Sequence, residues 1–177
     1  MSLKILLLGL IEISPMPGYN LMKAFDDSML FYWHATHTQI YNTLKEMEKD
    51  GLVTSEVVHQ VVNPSKKVFS ITEKGKEALT EWLLEEAELP GFKHDFLIKL
   101  SLSSRLSERD LLLQLNLYEQ KLRDKLTALK SEKKKEFLKF ARSNKELILW
   151  EMTFENGIMY YQNELAWVEK VKKGISQ

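Results

Sequence analysis

The sequence predicts a mostly α-helical protein with one small β-hairpin, arranged as two domains over residues 1–90 and 91–177. Three observations carry that prediction. In the first half, glycine and proline interrupt the chain at few places, and amphipathic stretches between them lead into two short β-rich runs. From Asp95 onward there is no proline, and a leucine-rich, charged composition favours long helices. In the last stretch apolar residues recur every seven positions, the spacing of a helix packed lengthwise on another.

The first helix spans about 3–13 and ends at "SPMPGY" (14–19). Its apolar run is too short to cross a bilayer, contains Glu12 and lacks a small-residue cleavage site, so it reads as a helix of a cytoplasmic protein rather than an anchor. A second helix runs over about 18–29 and a third over about 37–50, closed by Gly51. Strands at about 52–61 and 66–72 flank the polar turn "NPSKK" (63–67). In "VFSIT", Val68 and Ser70 fall on one side and Phe69 and Ile71 on the other, as in a half-buried strand. A helix at about 73–88 completes the order of a winged helix–turn–helix domain. Beyond "LPGFK" (89–93) three more helices are expected, the longest at about 108–130 and 145–173. Ser107 and Asp110 form a plausible N-cap pair, and "KSEKKKEF" (130–137) reads as a solvated helix end or connection.

The third helix divides into two faces. Thr36 can cap it, with Gln39 closing a capping box. Ile40, Leu44 and Met47 stand at i, i+4 and i+7 and form a core face. The opposite face holds His37, Thr38, Tyr41, Asn42, Lys45 and Lys49. Short hydrogen-bonding side chains in the first turns, with lysine further on, suit a helix whose N-terminal end enters a DNA major groove. Alone, such a face is most often an ordinary solvated surface. The hairpin that follows adds weight, because Ser65, Lys66 and Lys67 stand at its turn, where a phosphate backbone could meet them.

Charge limits this reading. The chain has 25 basic and 25 acidic residues, which excludes a globally basic DNA-coating protein. Residues 1–75 hold seven lysines, no arginine and eight acids, a net charge of −1. Such a domain needs two copies to gather enough phosphate contacts. The last helix offers a means. Leu147, Phe154, Tyr161 and Val168 recur at seven-residue steps, with Ile158 and Leu165 four residues after Phe154 and Tyr161, an a/d seam expected to join two protomers. Trp150, Tyr160 and Trp167 beside that seam, and Trp33 near the domain junction, are candidates for an aromatic effector site, although such stripes usually serve as core.

Other chemistry finds little support. The chain has no cysteine, which removes disulfides, thiol catalysis and cysteine-ligated metal sites. His34 and His37 form H-x-x-H without a carboxylate cluster, so no metal or other cofactor is expected. No phosphate loop, serine elbow or zinc-protease motif occurs, and an enzyme is the least supported class.

Together, "ILLLGLIEISPMPGYNLMKAF", "QIYNTLKEMEKDGLV" and "KKVFSITEKGKEAL" resemble the PadR family of bacterial transcriptional regulators. The matching positions are Pro17-Gly18-Tyr19, Tyr41 with Leu44 and Glu48, Gly51-Leu52, and Thr72-Glu73 with Gly75 and Leu79. The helical second half resembles the longer branch of the family, which includes the virulence activator AphA. The resemblance implies a homodimer held by C-terminal helices, with the third helix in a major groove, the wing beside it and a two-fold symmetric operator. It implies Tyr19, Tyr41 and the wing lysines as backbone contacts, and a phenolic or other planar aromatic effector as a candidate ligand. Thr36-His37-Thr38-Gln39 departs from the serine-proline-glycine-serine run of many members, which bears on base preference rather than fold. The expected function is DNA-binding transcriptional regulation, with repression the expected mode. The alternative is a winged-helix protein–protein interaction module.

Overall fold

The structure is a computed structural model and describes residues 2–26, 35–59, 65–89, 91 and 94–175. Trp33, His34 and Pro64 and the expected end of the second helix beyond residue 26 lie outside the described residues. The chain forms two compact units, residues 1–87 with 139–142, and 88–138 with 143–177.

The first unit runs α1 (Ser2–Ile13), β1 (Met16–Pro17), α2 (Gly18–Asp26), α3 (His37–Lys49), β2 (Val53–Val58), β3 (Lys66–Ile71) and α4 (Glu73–Leu84). Its core is made by Leu7, Leu8 and Ile11 of α1, Leu21 of α2, Ile40, Leu44 and Met47 of α3, Val53 of β2 and Phe69 of β3. The hairpin expected from sequence is the larger part of a three-stranded antiparallel sheet of order β1-β3-β2. The break after α1 supplies the third strand, pairing Met16 with Phe69 and Pro17 with Val68. Pro17, which has no N–H to donate, sits at the sheet edge where proline is tolerated. β2 and β3 pair from Val53↔Ile71 to Val58↔Lys66. α4 stops at Leu84, four residues short of the expected end, where Glu85, Glu86 and Glu88 would oppose the negative end of the helix dipole.

The second unit holds α5 (Asp95–Ser101), a 3₁₀ turn (Ser103–Arg105), α6 (Glu108–Leu129), α7 (Glu132–Leu138) and α8 (Asn144–Ile175). Ser107 caps α6 by accepting from the Asp110 amide at 3.1 Å. The polar stretch 130–137 contains a helix of its own rather than a mere connection. Phe137 on α7 stacks on Trp150 with ring centroids 4.5 Å apart.

Part of the spacing of α8, where a seam between protomers is expected, is met by packing inside the chain. Val168 is fully buried, and Tyr161 and Leu165 pack with it against Leu115 and Leu122 of α6. Phe154 is buried beside Phe137 of α7, while Leu147 and Ile158 are half-buried. Heptad spacing selects residues on one side of a helix, and an antiparallel neighbour in the same chain satisfies it as well as a second copy does. The exposed apolar side of α8 is the other one, with Ile148, Leu149, Met152, Met159 and Tyr160.

Candidate nucleic-acid interface

α3 is held at both ends and leaves one side to solvent. At its start the Gln39 amide donates to Thr36 Oγ1 at 3.3 Å, and the Thr36 amide donates to Gln39 Oε1 at 2.8 Å. The first turn carries no acid, so the partial positive charge of the helix N-terminus faces outward uncompensated. Thr36 and Gln39 are thus engaged in forming the helix end. His37, Thr38, Tyr41, Asn42 and Lys45 are all exposed along the outer side, while Ile40, Leu44 and Met47 are fully buried.

The far end is fastened more tightly. Gly51 takes φ +72°, the Leu52 amide donates to the Met47 carbonyl at 2.9 Å, and the Gly51 amide donates to the Glu48 carbonyl at 3.1 Å. This is a Schellman closure, in which a left-handed glycine turns the chain out of the helix. The α4 N-terminus then docks on it. Thr72 Oγ1 donates to the carbonyls of Gly51 (2.7 Å) and Leu52 (3.0 Å) and accepts from the Gly75 amide at 3.1 Å. A Cβ on Gly75 would lie 2.2 Å from the Leu52 carbonyl oxygen, so only glycine allows this approach.

Pro17-Gly18-Tyr19 positions a second edge. A Cβ on Gly18 would meet the Tyr41 ring at 3.3 Å, so α2 begins directly against α3. Tyr19 and Tyr41 remain 66% and 44% exposed, which leaves both phenols able to reach a ligand.

The wing differs from expectation. Lys66 and Lys67 are not at the tip of a turn but occupy the first two positions of β3, opposite Val58 and Val57. Alternation sends them to opposite faces of the sheet. Lys67 shares the face of buried Phe69 and folds back onto α3, with its Nζ 2.7 Å from Glu48 Oε2 and 5.3 Å from the Phe69 ring centre. The other Glu48 oxygen accepts from the Ser55 hydroxyl. Lys67 and Ser55 together hold the Glu48 carboxyl below the usual carboxylate range. Ser65 is exposed, and its Oγ lies 2.9 Å from His59 Nδ1. Sequence reasoning gave Glu48 only as a motif position. Its placement at the border of the two α3 faces, four residues after buried Leu44, was the available hint that it meets the adjoining hairpin.

Ion pairing divides the scarce cations. Lys4 pairs with Asp50 at 2.8 Å and Lys67 with Glu48. Lys74 Nζ donates to the Asp50 carbonyl at 2.8 Å. Lys45 and Lys49 on α3 and Lys66 on the wing have no ion-pair partner among the described residues.

The aromatic residues do not form one wall. Trp150 stacks on Phe137, whereas Trp167 meets Phe96 edge-on at 6.3 Å. The two tryptophans are roughly 25 Å apart along α8 at 1.5 Å per residue. Tyr160 is half exposed on the outer side. Among the described residues no group of three or more His, Cys, Asp or Glu side chains is placed to hold a metal ion.

Comparison with known proteins adds consistent matches. Residues 7–81 match the transcriptional regulator PadR-like family, and residues 92–176 match the virulence activator alpha C-terminal domain. The chain is 31% identical over 109 residues to the negative transcriptional regulator PadR of Bacillus subtilis, covering 61% of this chain and 60% of that protein. It is 43% identical over 68 residues to the probable transcriptional regulator Rv1176c of Mycobacterium tuberculosis, covering 38% of this chain and 36% of that protein. These matches therefore span less than two thirds of either relative. Among solved structures, B. subtilis PadR in complex with operator DNA superposes with TM-score 0.83 at 25% identity, covering 99% of both chains. The same regulator with p-coumaric acid gives 0.78 at 24% identity over the whole of both chains. The Vibrio cholerae virulence activator AphA gives 0.72 at 26% identity, covering 99% of this chain and 98% of that one.

Proposed function

We propose, for a chain that belongs to the PadR-like family of transcriptional regulators, that it binds promoter DNA as a homodimer and represses transcription from a two-fold symmetric operator. The observation that carries the reading is α3. It is capped by Thr36, locked to α4 at Gly51 and Gly75, and turned so that its polar side is exposed over its whole length. In this reading His37, Thr38, Asn42 and Lys45 address base edges in a major groove, with Thr36 and Gln39 presenting the helix end. Tyr19, Tyr41, Ser65, Lys66 and Lys67 meet the phosphate backbone. Residues 1–90 serve as the DNA-binding domain and 91–177 as the dimerisation domain.

The B. subtilis relative was solved with operator DNA and carries the name of a negative regulator, which supports both the partner and the sign. Two copies suit a domain with so few unpaired lysines, because phosphate contacts supply most of the affinity. The outer side of α8, with Ile148, Met152 and Met159, is the surface we assign to the second copy. That relative was also solved with p-coumaric acid, so a phenolic acid is the effector class to try on this chain. No helix among the described residues is long and apolar enough to cross a membrane.

The test is retention of the gene's own upstream DNA, and of sequences selected from a random pool, as salt is raised. Sequence-dependent, salt-sensitive retention is expected, and Lys66→Ala with Lys67→Ala should weaken binding to all sequences and flatten the salt slope. A specific observation favours the rival reading as a protein-binding module, namely the engagement of Lys67 by Glu48. Retention of no DNA, together with a protein partner bound equally well after loss of both lysines, would establish that rival.

A further inference from the structure

The wing presents two adjacent lysines that differ in their partners among the described residues. Lys66 has no acidic partner among the described residues. The Lys67 ammonium sits 2.7 Å from a carboxylate whose other oxygen is held by Ser55. The pair is open to solvent, with 47% of the Lys67 side chain and 35% of the Glu48 side chain exposed. A phosphate oxygen could therefore reach the ammonium from outside. Glu48 would keep its bond to Ser55 while the lysine exchanged one oxyanion for another.

We propose that Glu48 is a built-in competitor for phosphate, which occupies Lys67 in the free protein and must release it when the wing engages DNA. This rests on the DNA-binding function proposed above and deepens it, since it assigns Glu48 and Ser55 the control of wing affinity. The device matters in this chain because residues 1–75 carry net charge −1 and no arginine, so one ammonium gained or withheld is a large share of the available contacts. It also explains why the Phe69 ring lies under the ammonium, at a distance that keeps the lysine stem in place while the charge exchanges partners.

Glu48→Gln removes the charge but leaves a carbonyl able to accept from Ser55. The expected result is tighter DNA binding by about two- to fivefold, the scale of an exposed ion pair. The salt slope should stay near the parental value, because Lys67 meets a phosphate in both complexes and only the cost of freeing it from Glu48 is removed. Glu46→Gln is the control, because Glu46 is an exposed acid on the same helix and makes no ion pair among the described residues. It removes equal charge but frees no lysine, so its gain in affinity should be smaller and should persist in a Lys67→Ala background. In a Lys67→Ala background the extra gain from Glu48→Gln should vanish. On the free protein, amine labelling of Lys67 read by mass spectrometry should rise in Glu48→Gln and stay level in Glu46→Gln. Equal or weaker DNA binding by Glu48→Gln, or a gain that persists without Lys67, overturns the inference while leaving the regulatory function intact. Absence of DNA retention by the parent and all variants overturns both.

Discussion

Gly75→Ala and Gly9→Ala make the same chemical change in two helices and should move stability in opposite directions. At Gly75, the third residue of α4, the new methyl would stand 2.2 Å from the Leu52 carbonyl oxygen and 2.8 Å from Ile71 Cγ1. Contacts under 3.0 Å are not sustained by real Cβ atoms, so α4 must withdraw from the end of α3 by nearly an ångström. Overpacking of this kind costs about 1–3 kcal/mol. The withdrawal also strains the Thr72 hydroxyl, whose one proton is shared between the Gly51 and Leu52 carbonyls and which accepts from the Gly75 amide, at about 1 kcal/mol per donated proton. Against this, alanine gains about 1 kcal/mol over glycine inside a helix. The net expectation is a loss of about 2–3 kcal/mol, read as a lower urea midpoint with an unchanged slope. At Gly9 nothing lies within 4 Å of the new methyl, so only the helix gain of up to about 1 kcal/mol remains. Equal midpoints for Gly75→Ala and the parent would show that the α3–α4 junction does not fix the outer helix as described.

Three further outcomes follow from the same geometry. Thr36→Ala removes the hydroxyl that accepts from the Gln39 amide and donates to Gln39 Oε1, keeps the backbone half of the capping box, and should cost about 1 kcal/mol in denaturant unfolding. Lys172 first and Arg123 second hold the Glu119 carboxyl below its ordinary value of 4.5. The stability from this pairing is therefore complete above that value and is lost as pH falls through the lower folded value. Glu119→Gln should accordingly flatten the acid limb of a stability-against-pH curve below about pH 4.5 and leave its shape near neutrality unchanged. Met152→Glu with Met159→Glu places charge on the exposed apolar side of α8 and should shift the protein toward monomer in sedimentation, whereas the same change at exposed Lys170 and Lys173 should not.

Sequence pattern located α3 well because its constraints are local. Thr36 with Gln39, the Ile40–Leu44–Met47 stripe and Gly51 each act within one or two turns, and the structure places all of them in the expected roles. The β-hairpin was legible for the same reason, through alternation about Phe69. β1 was not, because two residues carry no period and pair only once β3 is in place. The α8 repeat gave the buried side, and the structure adds what spacing does not name, the packing of Val168 and Tyr161 on α6 of the same chain. Lys67 shows the limit most clearly. Two adjacent lysines look alike in sequence, and only strand alternation and the approach of Glu48 from α3 separate Lys67 from Lys66, which has no ion-pair partner among the described residues.

The most direct measurement is DNA selection from a random pool carried out in parallel with the parent, with His37→Ala and with Asn42→Ala, each followed by a salt titration on its own best sequence. If the exposed side of α3 reads bases, each variant should lose or change preference at one or two positions in each half-site and keep the parental salt slope. A preferred sequence that is the same for all three proteins would contradict the assignment of α3 as the reading helix.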